Sequence, residues 1–498
     1  MVSQRQTSIS QQPVSIRLNR ANKISPPGPP KLPIVGVLPF LGRHLHIELH
    51  KLAQKYGTIF QIRVGGRNLV VISGLETIKQ ALVTQQSSFN TRADFDVYRQ
   101  PPQCFMVELK SGDFWKKHHD IILQVMHTFL AGKSDTLESW AFEEASDLVD
   151  IFLKFDSQSF DPNFYLPLAT LNFMQRLMFD RRVNLENAHE NTNFAKTARI
   201  LTAIPPGTLD VTKLTIIPII WRPLFIIFRW KSLQNFSQAV AAMGNYVSEN
   251  VEQHKQSFDP ENLRDIADGL LKASSEQTES DRKDFCLSEN DIVTGTLSQF
   301  TGAGTEFPRL MLQWALLYMI TYPEIQTEIQ KEFDEVVGRE QQPSLNHRGK
   351  LPFTEACINE VFRHASPTNL PAVTYGTVRD TTLWDYFIPQ KTPVIVNYYG
   401  LTRDQRYWEE PEQFNPYRFL DENGKLRKDL LEKFYPFGVG PRRCVGEYLG
   451  RLQVFLFFTN LLHRCKFEKA PGETLDLESQ PGFFAGPKEY KVVVKPRF

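Results

Sequence analysis

The sequence predicts a mainly α-helical protein with a small β lobe. Helical periodicity covers most of the 498 residues, whereas strand-like runs such as 58–64 and 68–73 lie near the start. The longest helical pattern extends from about Ser288 to Thr321. A helix of that length is expected to cross the middle of the molecule.

Composition excludes some classes of protein. Lys and Arg (57) balance Asp and Glu (56), so the charge does not indicate nucleic acid or an acidic partner. The cysteines are odd in number, widely spaced and without a CxxC pair, which favours a reduced compartment over disulfides or zinc. They are Cys104, Cys286, Cys357, Cys444 and Cys465.

Three segments are predicted along the chain. Residues 1–25 form a polar tail without an apolar run long enough for a signal peptide or membrane anchor. Residues 26–36, "PPGPPKLPIVG", form a stiff proline-rich hinge. Residues 37–498 contain no interior linker or repeat, and we expect them to form a single domain.

The most apolar window is "LTIIPIIWRPLFIIFRW" at 214–230. Its prolines and arginines argue against a membrane span. Two interpretations stay open: a buried loop or helix pair, and a surface that dips into a membrane with its tryptophans and arginines at headgroup depth.

The first half of the long helix is expected to begin at a capping box. Ser288 and Asp291 have the spacing of such a box. In the second half, from Leu310 to Ile320, only Gln313 is plainly polar, so the second half should be buried on all sides.

Between these two parts lies "TGAGTEFPRL" at 301–310. Gly302 and Gly304 thin the helix where another group can approach its backbone. Pro308 cannot donate to the carbonyl of Gly304, which predicts a kink. Glu306 is a lone carboxylate in apolar company; alternatively, this is an ordinary kinked core helix with Glu306 turned to solvent.

The stretch "FGVGPRRCVG" at 437–446 places one cysteine among glycines and arginines. Backbone N–H groups, Arg442, Arg443 and the start of a helix predicted at 447–462 would lower the pKa of the Cys444 thiol. A thiolate there serves either as a nucleophile, which needs a distant His as base, or as a metal ligand under a large flat cofactor.

The spacing of this loop resembles the haem-binding loop of the cytochrome P-450 superfamily. The six matching positions are Phe437, Gly438, Gly440, Arg442, Cys444 and Gly446. Supporting matches follow in the expected order: the hinge, Trp115 in "GDFWKKHH", the long helix, Glu360 and Arg363 in "NEVFR", and Arg418 in "NPYRF". Several stretches are most similar to the microsomal animal branch that holds aryl-hydrocarbon hydroxylases and steroid 17-alpha-hydroxylase.

The resemblance implies a fold with the long helix over the haem and a b-type haem ligated by the Cys444 thiolate. It implies electrons from NADPH through a separate membrane-bound reductase. Arg442 and Trp115 would bind the haem propionates, and Phe437 would shield the sulfur. Glu360, Arg363 and Arg418 would form a structural triad.

The family pattern is broken at three places. Ala303, Gly304 and Glu306 match the oxygen-activating segment, but Phe307 and Pro308 replace its alcohol residues. His119 stands where the family has a propionate-binding Arg. The segment "NLPAVTY" at 369–375 lacks the His that related sequences place after Leu-Pro.

Three functions follow from these matches and breaks. The first is a monooxygenase acting on a sterol-like, polycyclic or fatty-acid-like molecule, with Glu306, Phe307, Ala303 and Gly304 at its distal helix. The second is a haem-thiolate isomerase or dehydratase that rearranges lipid hydroperoxides without dioxygen or reductase. The third is a haem-binding protein with little catalysis.

The expected pocket is apolar, lined by 288–321, by the segment around 98–120 and by the region near 366–374. Its aromatic side chains would include Phe105, Phe300 and Phe307. We expect peripheral association with the cytosolic face of the endoplasmic reticulum membrane, with a cytoplasmic protein as the alternative.

Overall fold

The fold is taken from a computed structural model. It describes residues 24–42, 44–94, 107–187, 194–198, 238, 241–285, 287–366, 374–480 and 485–498. Most of the predicted tail, the apolar window 214–230 and segment 369–373 lie outside the described residues. The same holds for Cys104, Phe105 and Cys286.

Helices dominate the described chain, as predicted. No helix among the described residues has both the length and the hydropathy to cross a membrane. The helices are Leu45–Tyr56, Leu75–Lys79, Gln86–Phe89, Gly112–Leu130, Ser134–Leu153, Leu166–Phe179, 194–198, 241–255, Ile266–Ser275, Glu279–Asp284, Thr296–Thr321, Pro323–Val336, Pro352–Ala365, Tyr398–Thr402, Lys428–Leu431 and Glu447–Arg464.

The β lobe is small, and its main sheet pairs strands from the first hundred residues with strands between residues 375 and 396. The described strands are β1 Ile59–Val64, β2 Arg67–Ile72, β3 Thr91–Arg92, β4 Tyr375–Gly376, β5 Thr381–Leu383, β6 Tyr386–Ile388, β7 Pro393–Val396, β8 Cys465–Lys469 and β9 Val492–Pro496. Five of them form a sheet in the order β1-β2-β7-β4-β3, and β5-β6 and β8-β9 form separate pairs. In the sheet, β2 and β7 run parallel.

Alternation along β1 explains why this sheet is buried on both faces. Ile59 packs in one apolar cluster, whereas Phe60 and Ile62 pack in another on the opposite face. β1 and β2 pair antiparallel with Ile59 opposite Ile72, so both strands point their apolar side chains into the same two clusters. The predicted strands at 58–64 and 68–73 are confirmed within a residue or two.

The long helix, Thr296–Thr321, is called the central helix below. The predicted capping box precedes it: the Ser288 N–H donates to Asp291 and the Asp291 N–H donates to Ser288. A π-helical turn, Asp291–Gly295, connects the two. Every residue from Leu310 to Ile320 is buried, as predicted.

Two helices flank the central helix and position the site. Leu166–Phe179 packs along it, and so does Glu447–Arg464, which is called the post-loop helix below. The post-loop helix was predicted at 447–462. The interpretation of 37–498 as a single domain stays a prediction, which the pairing of β2 with β7 supports.

Candidate functional site

The loop at 437–446 is folded back on itself by its glycines. Gly438 and Gly440 have φ angles of 76° and 79°, in the left-handed region that favours glycine. A Cβ on Gly440 would lie 2.1 Å from the carbonyl oxygen of Leu82, so any side chain there would clash with backbone. The N–H of Cys444 donates to the carbonyl of Phe437 at 2.9 Å, which closes the turn.

Cys444 lies on the wall of a cavity of about 510 Å³. Its side chain is exposed to that cavity and free of disulfides. Burial among protein atoms raises the pKa of its thiol, whereas the Gly446 N–H and the charge of Arg443 act in the opposite direction. The prediction of a lowered pKa is wrong for the protein alone, because desolvation outweighs these two groups. A bound metal cation would reverse that balance and deprotonate the thiol.

The cavity has a cationic rim. Arg443 and Arg451 both donate to the carboxylate of Glu447, at 2.6 and 2.9 Å, so one acid faces two cations. The complete lining is His119, Leu123, Arg348, Gly440, Pro441, Arg443, Cys444, Val445, Glu447, Tyr448 and Arg451.

Arg442 is a partly buried cation, and two of its guanidinium nitrogens are not satisfied by the described residues. Its guanidinium stacks 3.6 Å from the centroid of the Trp115 ring, and its Nε donates to the carbonyl of Asn90 at 2.9 Å. Nη1 and Nη2 are buried and find no hydrogen-bond partner among the described residues. Burial, and secondarily Arg92, lower its pKa to about 8. Such a group is a receptor for an anionic ligand, since unmet buried donors are costly.

His119 supplies no fixed positive charge at this site. Its ring lies 4.9 Å from that of Trp115. Burial lowers the pKa of His119 below its ordinary value, with a smaller contribution from Arg442 in the same direction. The imidazole is therefore neutral near neutral pH, and the charge beside Trp115 comes from Arg442.

Two tyrosines, one near Arg442 and one near Gly438 of the loop, were not found from the sequence. Tyr375 lies on β4 opposite Arg92 of β3, whose guanidinium is 4.4 Å from its ring. The Tyr398 hydroxyl is enclosed, finds no hydrogen-bond partner among the described residues, and would lie 3.6 Å from a Cβ on Gly438. Only the pairing of strands far apart in sequence brings them here, so no local motif announces them.

The predicted triad is assembled. Arg363 makes a bidentate pair with Glu360 at 2.7 and 2.8 Å, and both side chains are fully buried. Arg418 donates to the same carboxylate at 3.2 Å. Nη1 of Arg363 donates to the carbonyls of Thr402 and Pro411 at 2.8 Å, and Nη2 also donates to the carbonyl of Gln413 at 3.2 Å. The triad therefore ties helix Pro352–Ala365 to the chain that leads into the loop.

Phe307 connects the central helix to the loop through aromatic contacts. Its ring centroid lies 5.2 Å from that of Phe437 and 6.0 Å from that of Phe362. A Cβ on Gly450 would lie 3.9 Å from the Phe307 ring. At position 307, where the family pattern has an alcohol side chain, this chain has a phenyl ring that packs against other aromatic rings.

Pro308 does not interrupt the central helix. It leaves the carbonyl of Gly304 without its helical donor, and Gln453 of the post-loop helix donates to that carbonyl at 3.4 Å. A Cβ on Gly304 would lie 2.6 Å from the end of the Met174 side chain, which would have to shift to admit it. Ala303, one residue earlier, is exposed. The group that approaches the thinned helix at Gly304 is thus a methionine side chain.

Glu306 is only 8 % exposed and is paired with Arg309 on the same helix. The alternative that Glu306 turns to solvent is therefore wrong. Arg309 was not singled out in the sequence, because Glu and Arg three residues apart occur on many helices.

The class that fits this fold and this site is that of haem-thiolate proteins. A cysteine sulfur in a glycine cradle suits a metal ion, and the unmet donors of Arg442 suit the carboxylates at the edge of a porphyrin. The residues present therefore fit a haem.

Comparison with known proteins gives the family. The model of the family "Cytochrome P450" matches residues 26–494, so the chain belongs to the cytochrome P450 family. It is 34% identical over 458 residues to the polybrominated aromatic compounds synthase of Pseudoalteromonas luteoviolacea, covering 92% of each chain. It is also 34% identical over 466 residues to cytochrome P450 1A5 of Gallus gallus and to cytochrome P450 1A1 of Rattus norvegicus, covering 91% of this chain and 86% of each relative.

Membership confirms the predicted fold class and the coarse function. The protein is an oxidoreductase of the monooxygenase type whose cofactor is haem with a cysteine thiolate ligand, and the family draws electrons from an NADPH-dependent reductase. Two of these relatives are 1A cytochromes, which agrees with the microsomal animal branch predicted from the sequence.

Proposed function

We propose that Cys444 is the thiolate ligand of the haem and that Arg442, stacked on Trp115, receives the haem carboxylates. The observation that carries this proposal is the pair of buried, unpartnered guanidinium nitrogens of Arg442 next to the glycine cradle. Gly438, Gly440 and Gly446 keep side chains out of the cradle, and Phe437 covers the loop. When bound, the haem supplies the activation of dioxygen for insertion into an unreactive C–H bond.

The substrate we propose is lipophilic and aromatic, within the broader class of sterol-like, polycyclic and fatty-acid-like molecules. One relative is named for polybrominated aromatic compounds, which favours a ring system. Phe300 and Phe307 lie on the central helix, and Phe307 is part of a cluster of three aromatic rings. We expect a pocket bordered by these side chains to favour flat apolar ligands.

We further propose that this oxidation proceeds without a protein alcohol at the usual position. Phe307 cannot hold a water or pass on a proton, so a substrate hydroxyl or a bound water must take that part. The isomerase hypothesis remains the second candidate. An enzyme that needs no proton relay would lose no activity by having Phe307, in contact with Phe437, in place of the alcohol.

The partner we propose is an NADPH-cytochrome reductase that docks at the cavity beside Cys444. Arg348, Arg443 and Arg451 line that cavity, with Tyr448 46% exposed at its edge. Glu447 neutralises part of this charge, and the surplus is positive. A positive surface next to the sulfur attracts an acidic electron donor and shortens the path to the metal.

For location we propose peripheral contact with the cytosolic face of the endoplasmic reticulum membrane. The proline-rich hinge and the residues after it expose large apolar side chains: Ile34 is 60% exposed and Phe40 62% exposed. Exposed side chains of this size on one short segment are typical of a surface that contacts lipid.

Isotopically labelled dioxygen tests the reaction. Purified, haem-loaded protein with the reductase and NADPH should place label in products from a panel of polycyclic aromatics, sterols and fatty acids. The expected result is label in an aromatic product. Conversion of fatty-acid hydroperoxides without reductant, and without label, would overturn the monooxygenase in favour of the isomerase.

A further inference from the structure

The central helix carries a buried ion pair beside Phe307. Arg309 Nε donates to Glu306 Oε2 at 2.8 Å, and Arg309 Nη2 donates to Glu306 Oε1. The two residues are 6% and 8% exposed. Both carboxylate oxygens are therefore bound by one guanidinium in the fork geometry that arginine, unlike lysine, can offer.

The arginine is itself held in place. Its Nη1 donates to the side-chain oxygen of Gln313 at 3.0 Å, one turn further along the helix. The Tyr490 hydroxyl donates to the backbone carbonyl of Gln313 at 2.6 Å, which fixes that turn against the end of the chain. The guanidinium cannot rotate away from Glu306 without losing three hydrogen bonds.

This arrangement changes what Glu306 can do. In a low-polarity environment a carboxyl group without a cation takes up a proton, whereas one bound by a guanidinium remains ionised. The bidentate contact also occupies the two oxygens that a proton would use. A proton arriving at Glu306 would have to displace Arg309, whose guanidinium would then lose both of its bonds to the carboxylate in a buried site.

We propose that Arg309 is a positioning residue that holds Glu306 as a fixed anion, so that Glu306 does not deliver a proton to the reacting pocket. The inference deepens the proposed function, on which it rests: with no alcohol at 307 and no proton on Glu306, neither of these two positions of the family pattern supplies protons to the pocket. Glu306 retains the acidic residue of the family pattern, but it acts through its negative charge and not as a proton donor.

Infrared difference spectroscopy tests the inference without turnover. In Arg309→Met, Glu306 loses its cation and should protonate, which adds the carbonyl stretch of one protonated carboxyl group. The spectrum of Arg309→Met minus that of Arg309→Met/Glu306→Gln should show this band, and wild type minus Glu306→Gln should not. A band already present in the wild-type difference, or none in the Arg309→Met difference, would overturn the proposal.

Turnover gives a second readout. Arg309→Met should raise product formed per NADPH at least twofold, because Glu306 then carries a proton it can donate, and the added Glu306→Gln change should remove that gain. Arg309→Lys keeps the cation but not the fork, and its product per NADPH should lie between those of wild type and Arg309→Met. A fall in product per NADPH in Arg309→Met that Arg309→Lys does not show would contradict the inference.

Arg264→Met is the matched control. Arg264 also makes a bidentate pair with a carboxylate, Asp268, at 2.7 and 2.9 Å, but at the start of helix Ile266–Ser275. Its replacement should leave product per NADPH unchanged. If the wild type yields no labelled product, the proposed function fails, and the infrared result still decides the state of Glu306.

Discussion

The loop around Cys444 and the central helix differ in whether their buried polar groups have hydrogen-bond partners within the protein. In the loop, Arg442 keeps two buried nitrogens without partners, and the enclosed Tyr398 hydroxyl near Gly438 has none among the described residues. In the central helix, Glu306 is satisfied by Arg309, which is satisfied in turn by Gln313. The loop therefore has hydrogen-bonding groups left to bind a ligand, whereas the polar side chains of the central helix bind one another.

The difference shows that holding the cofactor and supplying protons are separable properties of this fold. The family pattern at the loop needs all its parts at once, because sulfur, glycines and cation contact one rigid cofactor. The central helix has a phenyl ring in place of the alcohol, and its Gly304 carbonyl is bound by Gln453. Changes to either region should therefore have effects of different kinds.

The largest effect is expected at the sulfur. Cys444→Ser should abolish the thiolate signature in the reduced carbon monoxide spectrum and all product formation, because a hydroxyl does not replace a thiolate on iron. Absorbance spectra of the purified variant measure this. Cys357→Ser and Cys465→Ser, at two buried cysteines, should keep the signature. If the Cys444→Ser spectrum keeps it, the ligand is elsewhere.

The next effect concerns the triad that supports the loop. Glu360→Gln leaves Arg363 as a fully buried charge without its anion, which should lower the free energy of unfolding by about 3–5 kcal/mol. Glu447→Gln breaks pairs with half-exposed partners and should cost about 0–1 kcal/mol. Urea unfolding compares the two. Equal losses of unfolding free energy in the two variants would show that the buried triad is no more important for stability than the more exposed pairs of Glu447.

The central helix should respond in coupling and not in cofactor binding. Phe307→Thr with Pro308→Thr restores an alcohol and a backbone donor, and should raise product per NADPH roughly twofold or more, since a positioned proton donor is regained. Spectra should still show the thiolate. Pro308→Ala alone restores only the backbone donor and serves as the control. Coupling that stays level or falls in the double variant argues against the monooxygenase hypothesis.

The smallest effect tests the tie between the helices. Gln453→Leu removes the donor to the Gly304 carbonyl and should cost about 1 kcal/mol of unfolding free energy. In a Pro308→Ala background the helical N–H returns to that carbonyl, so the cost should shrink. Urea unfolding of the four proteins in this cycle measures the coupling. An equal cost in both backgrounds would show that Gln453 does not compensate for the proline.

Local patterns predicted the parts of the molecule that local chemistry determines. The capping box at Ser288, the buried half of the central helix and the strand β1 each depend on neighbours in sequence. The cysteine loop was predicted because six fixed positions within ten residues are specific. Placement of Glu360 with Arg418 followed from the family resemblance, and the structure brings them together.

What the sequence did not show depends on distant contacts. Gln453 meets Gly304 across 149 residues, and Tyr375 meets Arg92 only because β3 and β4 pair. The pKa of the Cys444 thiol is raised because burial outweighs the effect of the neighbouring positive charge. Burial depends on the whole fold and cannot be read from the local sequence. Arg309 was visible in the sequence, but only its buried fork geometry distinguishes it from an ordinary surface pair.

The parallel pairing of β2 with β7 has a consequence for the newly made protein. Asn397, just after β7, donates to Ser73, just after β2, across 324 residues of chain. During translation β1 and β2 therefore emerge long before the strand that covers them, with a row of unpaired backbone groups and apolar faces. Until the last quarter of the chain leaves the ribosome this edge of the sheet is uncovered, and shortened products that lack this part should aggregate.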